Sequence, residues 1–196
     1  MRGDEMAEVV LFHHVQGLTE GVRGLADEIR AAGHTVHTPD FFDGATFASI
    51  DEGFAAVRAK GPGAADAWAD AVVASLPQDL VYAGVSLGVM SAQRLAQTRP
   101  GARGAVLLEA CVPPAEFGAG WPAGVPVQVH GMEQDPFFGL EGDLDAARDL
   151  VASVDDGELF VYPGEVHLFT DASLPSYDEA ATRQVVERVL TLLARV

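Results

Sequence analysis

Apolar residues recur along this chain in two rhythms, short continuous runs and longer stretches in which they return every three or four positions. Residues 8–13, Glu8-Val9-Val10-Leu11-Phe12-His13, are almost wholly apolar, as a strand covered on both faces of a parallel sheet must be. That run reads as a central strand. After a loop at 14–19, Thr19 caps a helix whose positions Val22, Leu25, Ala26 and Ile29 share one face, and Gly33 ends it. Residues 34–40 form a second strand and 41–47 an aromatic, glycine-bearing loop, which completes one βαβ unit. A weak helix over 50–60 is broken by Gly61-Pro62-Gly63, and a stronger alanine-rich helix follows over 64–76. Further strands fall at 80–85, 104–109, 125–131 and 159–162, with helices at 142–153 and at 180–195. Strands alternate with helices throughout, so the pattern predicts an α/β fold with a mostly parallel sheet flanked by helices on both faces.

The run Leu80-Val81-Tyr82-Ala83-Gly84-Val85-Ser86-Leu87-Gly88-Val89-Met90 ends in Gly-x-Ser-x-Gly and then turns helical through Ser91-Ala92-Gln93-Arg94-Leu95-Ala96. A buried strand that feeds a tight turn and a helix places the serine at the summit, and the glycines let strand and helix approach without a Cβ clash. The helix then aims its unpaired N–H groups, led by that of Leu87, at a reacting carbonyl oxygen. A glycine-rich chain also meets this pentapeptide by chance. Its chemical meaning comes from the strand before it and the helix after it.

Ligands of such sheets bind outside the carboxyl ends of the strands, so polar residues just past strand ends are the ones to collect. Ser86, Asp135 and His167 each follow a separate strand, in the order serine, acid, histidine that a hydrolytic triad on this type of sheet uses. Two alternatives stand beside that assignment: Asp135 as a turn residue before Pro136 with Glu133 as the acid, and His167 as an ordinary exposed loop histidine. Cys111 reads as a packed strand-end residue, because no strand-to-helix elbow surrounds it. Six histidines raise the question of a metal, but adjacent His13 and His14 point to opposite faces and no His-x-x-x-His stands on a helix, so no metal is expected. The rim aromatics Phe41, Phe42, Phe117, Trp121, Phe137 and Phe138 suit an apolar pocket and plain loop packing equally.

With 12 Lys and Arg against 29 Asp and Glu, the formal net charge is −17, which repels phosphate backbones and anionic membranes. Neither nucleic acid nor a membrane is an expected partner. The 196 residues suffice for one core and one domain, and a lone cysteine allows no intramolecular disulfide and fits a reducing compartment. The polar opening residues 1–8 lack the apolar segment of a secretory signal, so the expectation is a cytoplasmic protein, a monomer or small homo-oligomer.

From residue 9 to 196 the chain resembles the dienelactone hydrolase family of α/β-hydrolases. The matching features are the opening strand and its loop with Gly17, Thr38-Pro39-Asp40, Gly84-Val85-Ser86-Leu87-Gly88, His130-Gly131 leading to Asp135, and Gly164-Glu165-Val166-His167-Leu168-Phe169. The resemblance implies the compact α/β-hydrolase fold, a triad of Ser86, Asp135 and His167, an oxyanion hole from the backbone N–H groups of Leu87 and Val15, and no cofactor. Its pocket candidates are His14, Gln16, Phe41, Cys111, Phe137 and Asp171. Three departures stand out. Serine replaces the cysteine of the best-known members, His14 occupies the place of a glutamate that partners their nucleophile, and Asp171 stands where they carry an arginine that grips an anionic lactone. The expected function is a serine hydrolase that cleaves a small neutral ester, lactone or thioester through an acyl-enzyme, with Asp171 repelling anionic substrates and exposed Arg58 no substitute. The competing class is a catalytically silent fold of the same type that binds a small molecule.

Overall fold

Continuous apolar runs become six strands in the computed structural model, which describes residues 6–118 and 120–196. Part of the polar opening segment, residues 1–5, lies outside the described residues. The strands are β1 (Glu8–Phe12), β2 (Thr35–His37), β3 (Leu80–Val85), β4 (Ala102–Leu108), β5 (Val127–Met132) and β6 (Gly157–Tyr162). They form one sheet in the order β2-β1-β3-β4-β5-β6, and every neighbouring pair is parallel. The continuous apolarity has a simple cause, because alternate side chains enter two separate cores. Val9, Leu11, Val81, Ala83, Val106 and Leu108 pack beneath α1 (Glu20–Ala31) and α6 (Glu179–Leu193). Val10, Phe12, Tyr82, Leu107, Val127 and Val129 pack beneath α3 (Ala64–Ala74), α4 (Leu87–Thr98) and α5 (Asp143–Ser153).

The weak helix α2 (Ile50–Lys60) buries only Gly53, and Arg58 is exposed on it. Thr19 caps α1 by accepting from the Val22 N–H, as its position predicts. The short β2 forms one edge, so β1 lies one strand in from that edge rather than at the centre. The long loop after β4 contains a 3-10 turn, Pro114–Phe117. No helix among the described residues is long and apolar enough to cross a membrane.

The chain steps from β1 outward to β2, then returns past β1 to β3 and continues the other way. Loops after β1 and β3 therefore diverge and open a crevice at the carboxyl ends of these two strands. Ser86 and the loop at 13–19 flank that crevice.

Two buried histidines make this fold sensitive to acid. His130 on β5 accepts from the Tyr162 hydroxyl at Nδ1 (2.9 Å), and its Nε2 faces Gln128 Oε1 (3.3 Å). Burial, with the Arg188 charge adding to it, lowers its pKa to about 3. His13 is lowered to about 4, chiefly by burial. The unfolded chain protonates both rings near pH 6.5, so between about 6.5 and 3 it binds more protons than the folded one and stability falls with pH. At roughly 1 kcal/mol per pKa unit, the two rings withdraw several kcal/mol across that window. Relief of acidic self-repulsion acts in the opposite direction, so the decisive readout is a slope. Urea-unfolding stability plotted against pH is expected to fall less steeply below pH 6.5 in His130→Gln than in the wild type, and identical slopes would contradict the assignment.

Candidate active site

The elbow is assembled from backbone sterics. Ser86 joins β3 to α4 with φ 49° and ψ −114°, a conformation that a side-chain-bearing residue adopts only when its surroundings enforce it. Its N–H donates to Leu108 O on β4 (2.8 Å), and its carbonyl accepts from the Val89 N–H (2.8 Å). A Cβ on Gly84 would lie 2.4 Å from Gly88 O, and one on Gly88 would lie 2.2 Å from Phe12 O. Both motif glycines are thus consumed in seating α4 on the ends of β3 and β1. As the first residue of α4, Leu87 has no carbonyl one turn back to receive its N–H, and no acidic side chain in the first turn neutralises that helix end.

His167 lies in the loop after β6 and joins the other two residues. The Ser86 hydroxyl donates to its Nε2 (2.8 Å), and its Nδ1–H donates to Asp135 Oδ2 (2.7 Å). Asp135 is fully buried, and its Oδ1 accepts from the N–H groups of Phe137 (2.8 Å) and Phe138 (3.3 Å). The Phe137 ring packs on the imidazole with centroids 4.6 Å apart. Glu133, the alternative acid, is exposed two residues away.

Val15 is buried in the loop after β1, where α2 presses so close that a Cβ on Gly53 would meet Val15 O at 2.2 Å. Its neighbour His14 accepts from the Gln16 N–H at Nδ1 (3.2 Å), so its Nε2 carries the proton and donates to Asp171 Oδ2 (2.7 Å). Thr19 and Ser173 donate to the same carboxylate. Burial opposes its ionisation, but the hydrogen bonds from His14, Ser173 and Thr19 together outweigh it and hold Asp171 at about 2. This pair ties the loop after β1 to the loop after β6.

A cleft of about 350 Å³ opens beside His167, lined by Gln16, Ile50, Pro136, Glu165, Val166 and Leu174 among others. Gln16 therefore lines the cleft beside His167. Phe41 instead lines a much smaller cavity, about 40 Å³, beside Leu87 and Trp68. Three pocket expectations are corrected: His14, Cys111 and Asp171 are at most 1% exposed and line no cleft described here. Asp171 turns inward because His14, Thr19 and Ser173 satisfy its charge there, and burial, with the Asp143 charge adding to it, pushes the Cys111 thiol up to about 12. Three of the six rim aromatics serve packing, since Phe41 contacts Trp68, Phe42 contacts Phe47, and Phe138 is wholly buried. Another cleft, about 380 Å³, lies at the opposite end of the strands near Pro77, Asp79 and Arg103 and has no serine, cysteine or histidine in its lining.

The residue that sequence patterning misses is Glu109. It reads there as the last residue of a strand, yet it sits just past β4 on the same rim as Ser86, with φ 64° and no exposed surface. A carboxylate that ends an apolar run at a strand's carboxyl end is the signal that would have found it. Glu109, Asp135 and His167 present oxygen and nitrogen atoms within 4.8 Å of one another, a spacing that a cation also accepts. Both ring nitrogens of His167 are already hydrogen-bonded, so the imidazole offers no spare lone pair to a metal.

A model described as the dienelactone hydrolase family matches residues 3–196 of the chain. No curated protein matches it in sequence. Among solved structures, a dienelactone hydrolase-like promiscuous phosphotriesterase from metagenomic libraries is 22% identical, with a TM-score of 0.72 over 98% of this chain and 87% of that one. Thermogutta terrifontis esterase 2 phosphoramylated by tabun is 16% identical, with a TM-score of 0.62 over 97% and 83%. An α/β hydrolase from a Medee basin deep-sea metagenome library is 15% identical, with a TM-score of 0.58 over 98% and 86%. At these identities the structural likeness shows the α/β-hydrolase fold.

Proposed function

The chain belongs to the dienelactone hydrolase family, and we propose that within it this protein is a serine hydrolase that cleaves a small, neutral carboxylic ester, lactone or thioester through an acyl-enzyme. The observation that carries this reading is the unbroken path from Ser86 Oγ through both nitrogens of His167 to Asp135, at 2.8 and 2.7 Å. Ser86 attacks the carbonyl carbon while His167 Nε2 takes its proton, and Asp135 keeps the other proton on Nδ1 and stabilises the imidazolium. The N–H groups of Leu87 and Val15 receive the developing oxyanion. His167 then gives its proton to the leaving oxygen or sulfur, and a water molecule activated by the same nitrogen releases the acid.

A purely binding protein has no use for a serine held at φ 49°, which costs on the order of 1 kcal/mol or more. An esterase of this fold is recorded as phosphoramylated by tabun, which makes an organophosphorus probe a natural choice. Incubation with a fluorophosphonate is expected to add one adduct mass, mapped by peptide mass spectrometry to Ser86. An intact, unmodified protein would overturn the proposal in favour of a silent binding fold.

Substrate charge follows from the cleft and no longer from Asp171. Its lining holds Glu165 and no Lys or Arg among the described residues. A carboxylate about 6 Å from Glu165 would be repelled by roughly 2–3 kcal/mol at a dielectric of about 20, and solvent at this exposed side chain cuts that to about 1 kcal/mol. A neutral ester is therefore expected to exceed its carboxylate-bearing analogue in kcat/KM by about tenfold or less, with Glu165→Gln narrowing the gap. A clear preference for the anion would refute this.

A further inference from the structure

Two acids face the catalytic imidazole, and only one is used by the triad. Glu109 Oε1 accepts from both the N–H (3.2 Å) and the hydroxyl (2.7 Å) of Thr170, three residues beyond His167. Glu109 Oε2 has no hydrogen-bond partner among the described residues although it is buried, and it lies 3.9 Å from His167 Nδ1. An unpartnered buried carboxylate oxygen is costly, and anchoring Thr170 would need only Oε1, which a glutamine supplies equally well. The backbone pays a further cost to place it, with Glu109 at φ 64° and its N–H fastened to His130 O (2.7 Å). These features act at one spot, the edge of the ring that carries the Nδ1 proton. Resting on the triad reading above, we propose that Glu109 is a second acid for His167, a positioning residue that steadies the imidazolium in the wild type and accepts the hydrogen bond from Nδ1–H when the Asp135 carboxylate is removed.

The proton inventory is unchanged by this role. Nδ1–H stays on the ring and shifts its hydrogen bond from Asp135 Oδ2 to Glu109 Oε2, while Nε2 still takes the Ser86 proton. Burial pushes the Glu109 carboxyl above its usual range, and the His167 ring is the strongest influence in the opposite direction. The acid thus senses the charge that forms on the imidazole during attack.

The test exploits the difference between emptying the Asp135 position and filling it with an amide. Asp135→Ala leaves Nδ1–H free to reach Glu109, a movement of about 1 Å to normal hydrogen-bond length. The expected losses in kcat with 4-nitrophenyl acetate are a few-fold for Glu109→Gln with KM unchanged, about 10²-fold for Asp135→Ala, and about 10⁴-fold for the double variant. Asp135→Ala is therefore expected to outperform the amide Asp135→Asn. Thermal melting checks that each variant is folded, and Asp135→Ser, whose hydroxyl can still accept from the backbone, replaces the alanine variant if that one does not fold. A low-field proton NMR signal from Nδ1–H is expected to persist in Asp135→Ala and vanish on adding Glu109→Gln. A double variant no slower than Asp135→Ala, or no such signal in Asp135→Ala, overturns the role of Glu109. Wild-type protein that neither turns over ester nor reacts with fluorophosphonate would instead overturn the hydrolase reading, while the NMR signal still reports on Glu109.

Discussion

Replacing Ser86 by Ala is expected to lower ester hydrolysis by about 10⁴-fold or more and to abolish fluorophosphonate capture, with the fold intact. The size of the effect follows from what the hydroxyl alone supplies. Without Oγ no acyl-enzyme forms, and His167 is left only with the activation of water for direct attack. The residual rate then reflects the N–H groups at the start of α4 and simple binding. Stability should change little, because the side chain's one hydrogen bond among the described residues runs to His167. The alanine also inherits the same strained backbone, which is held by the Leu108 and Val89 hydrogen bonds rather than by the hydroxyl. Steady-state kinetics, a thermal melt and the mass of the probe-treated protein decide the matter together. A folded variant with a tenth of wild-type turnover would remove Ser86 from the role of nucleophile.

Asp135→Asn should cost about as much, near 10⁴-fold in kcat, for a reason specific to this site. The carboxylate is pinned by Phe137 and Phe138, whose N–H groups both donate to Oδ1. An asparagine must keep its carbonyl oxygen there, which turns its NH₂ toward His167 Nδ1. Two donors cannot face each other, so the ring moves its proton to Nε2 and loses the lone pair that should receive the Ser86 proton. The geometry survives while the chemistry stops. An Asp135→Asn enzyme within tenfold of the wild type would show that the tautomer is not set by this residue.

The strands, the helices and the rim positions of Ser86, Asp135 and His167 were legible along the chain, because each depends on relations among residues a few places apart. Apolar runs of five or six mark strands buried on both faces, the Gly-x-Ser-x-Gly spacing marks a turn with no room for a Cβ, and Thr19 marks a helix start. Ser86, Asp135 and His167 come together although they span 81 residues, since parallel strands bring successive carboxyl ends to one rim. Direction and depth were not legible. Asp171 stands where an arginine grips an anion in the family's best-known members, and the resemblance alone pointed it at substrate. Its actual partner is His14, 157 positions away, and that hydrogen bond turns the charge inward. Glu109 shows the same limit in reverse. It looks like the polar end of a strand until Thr170, 61 residues later, fastens one oxygen and leaves the other beside His167. Local pattern determines which residues reach the rim, because backbone periodicity is a short-range property. Which way a side chain faces there is decided by hydrogen-bond partners from distant loops, and only the folded sheet brings those within 3 Å.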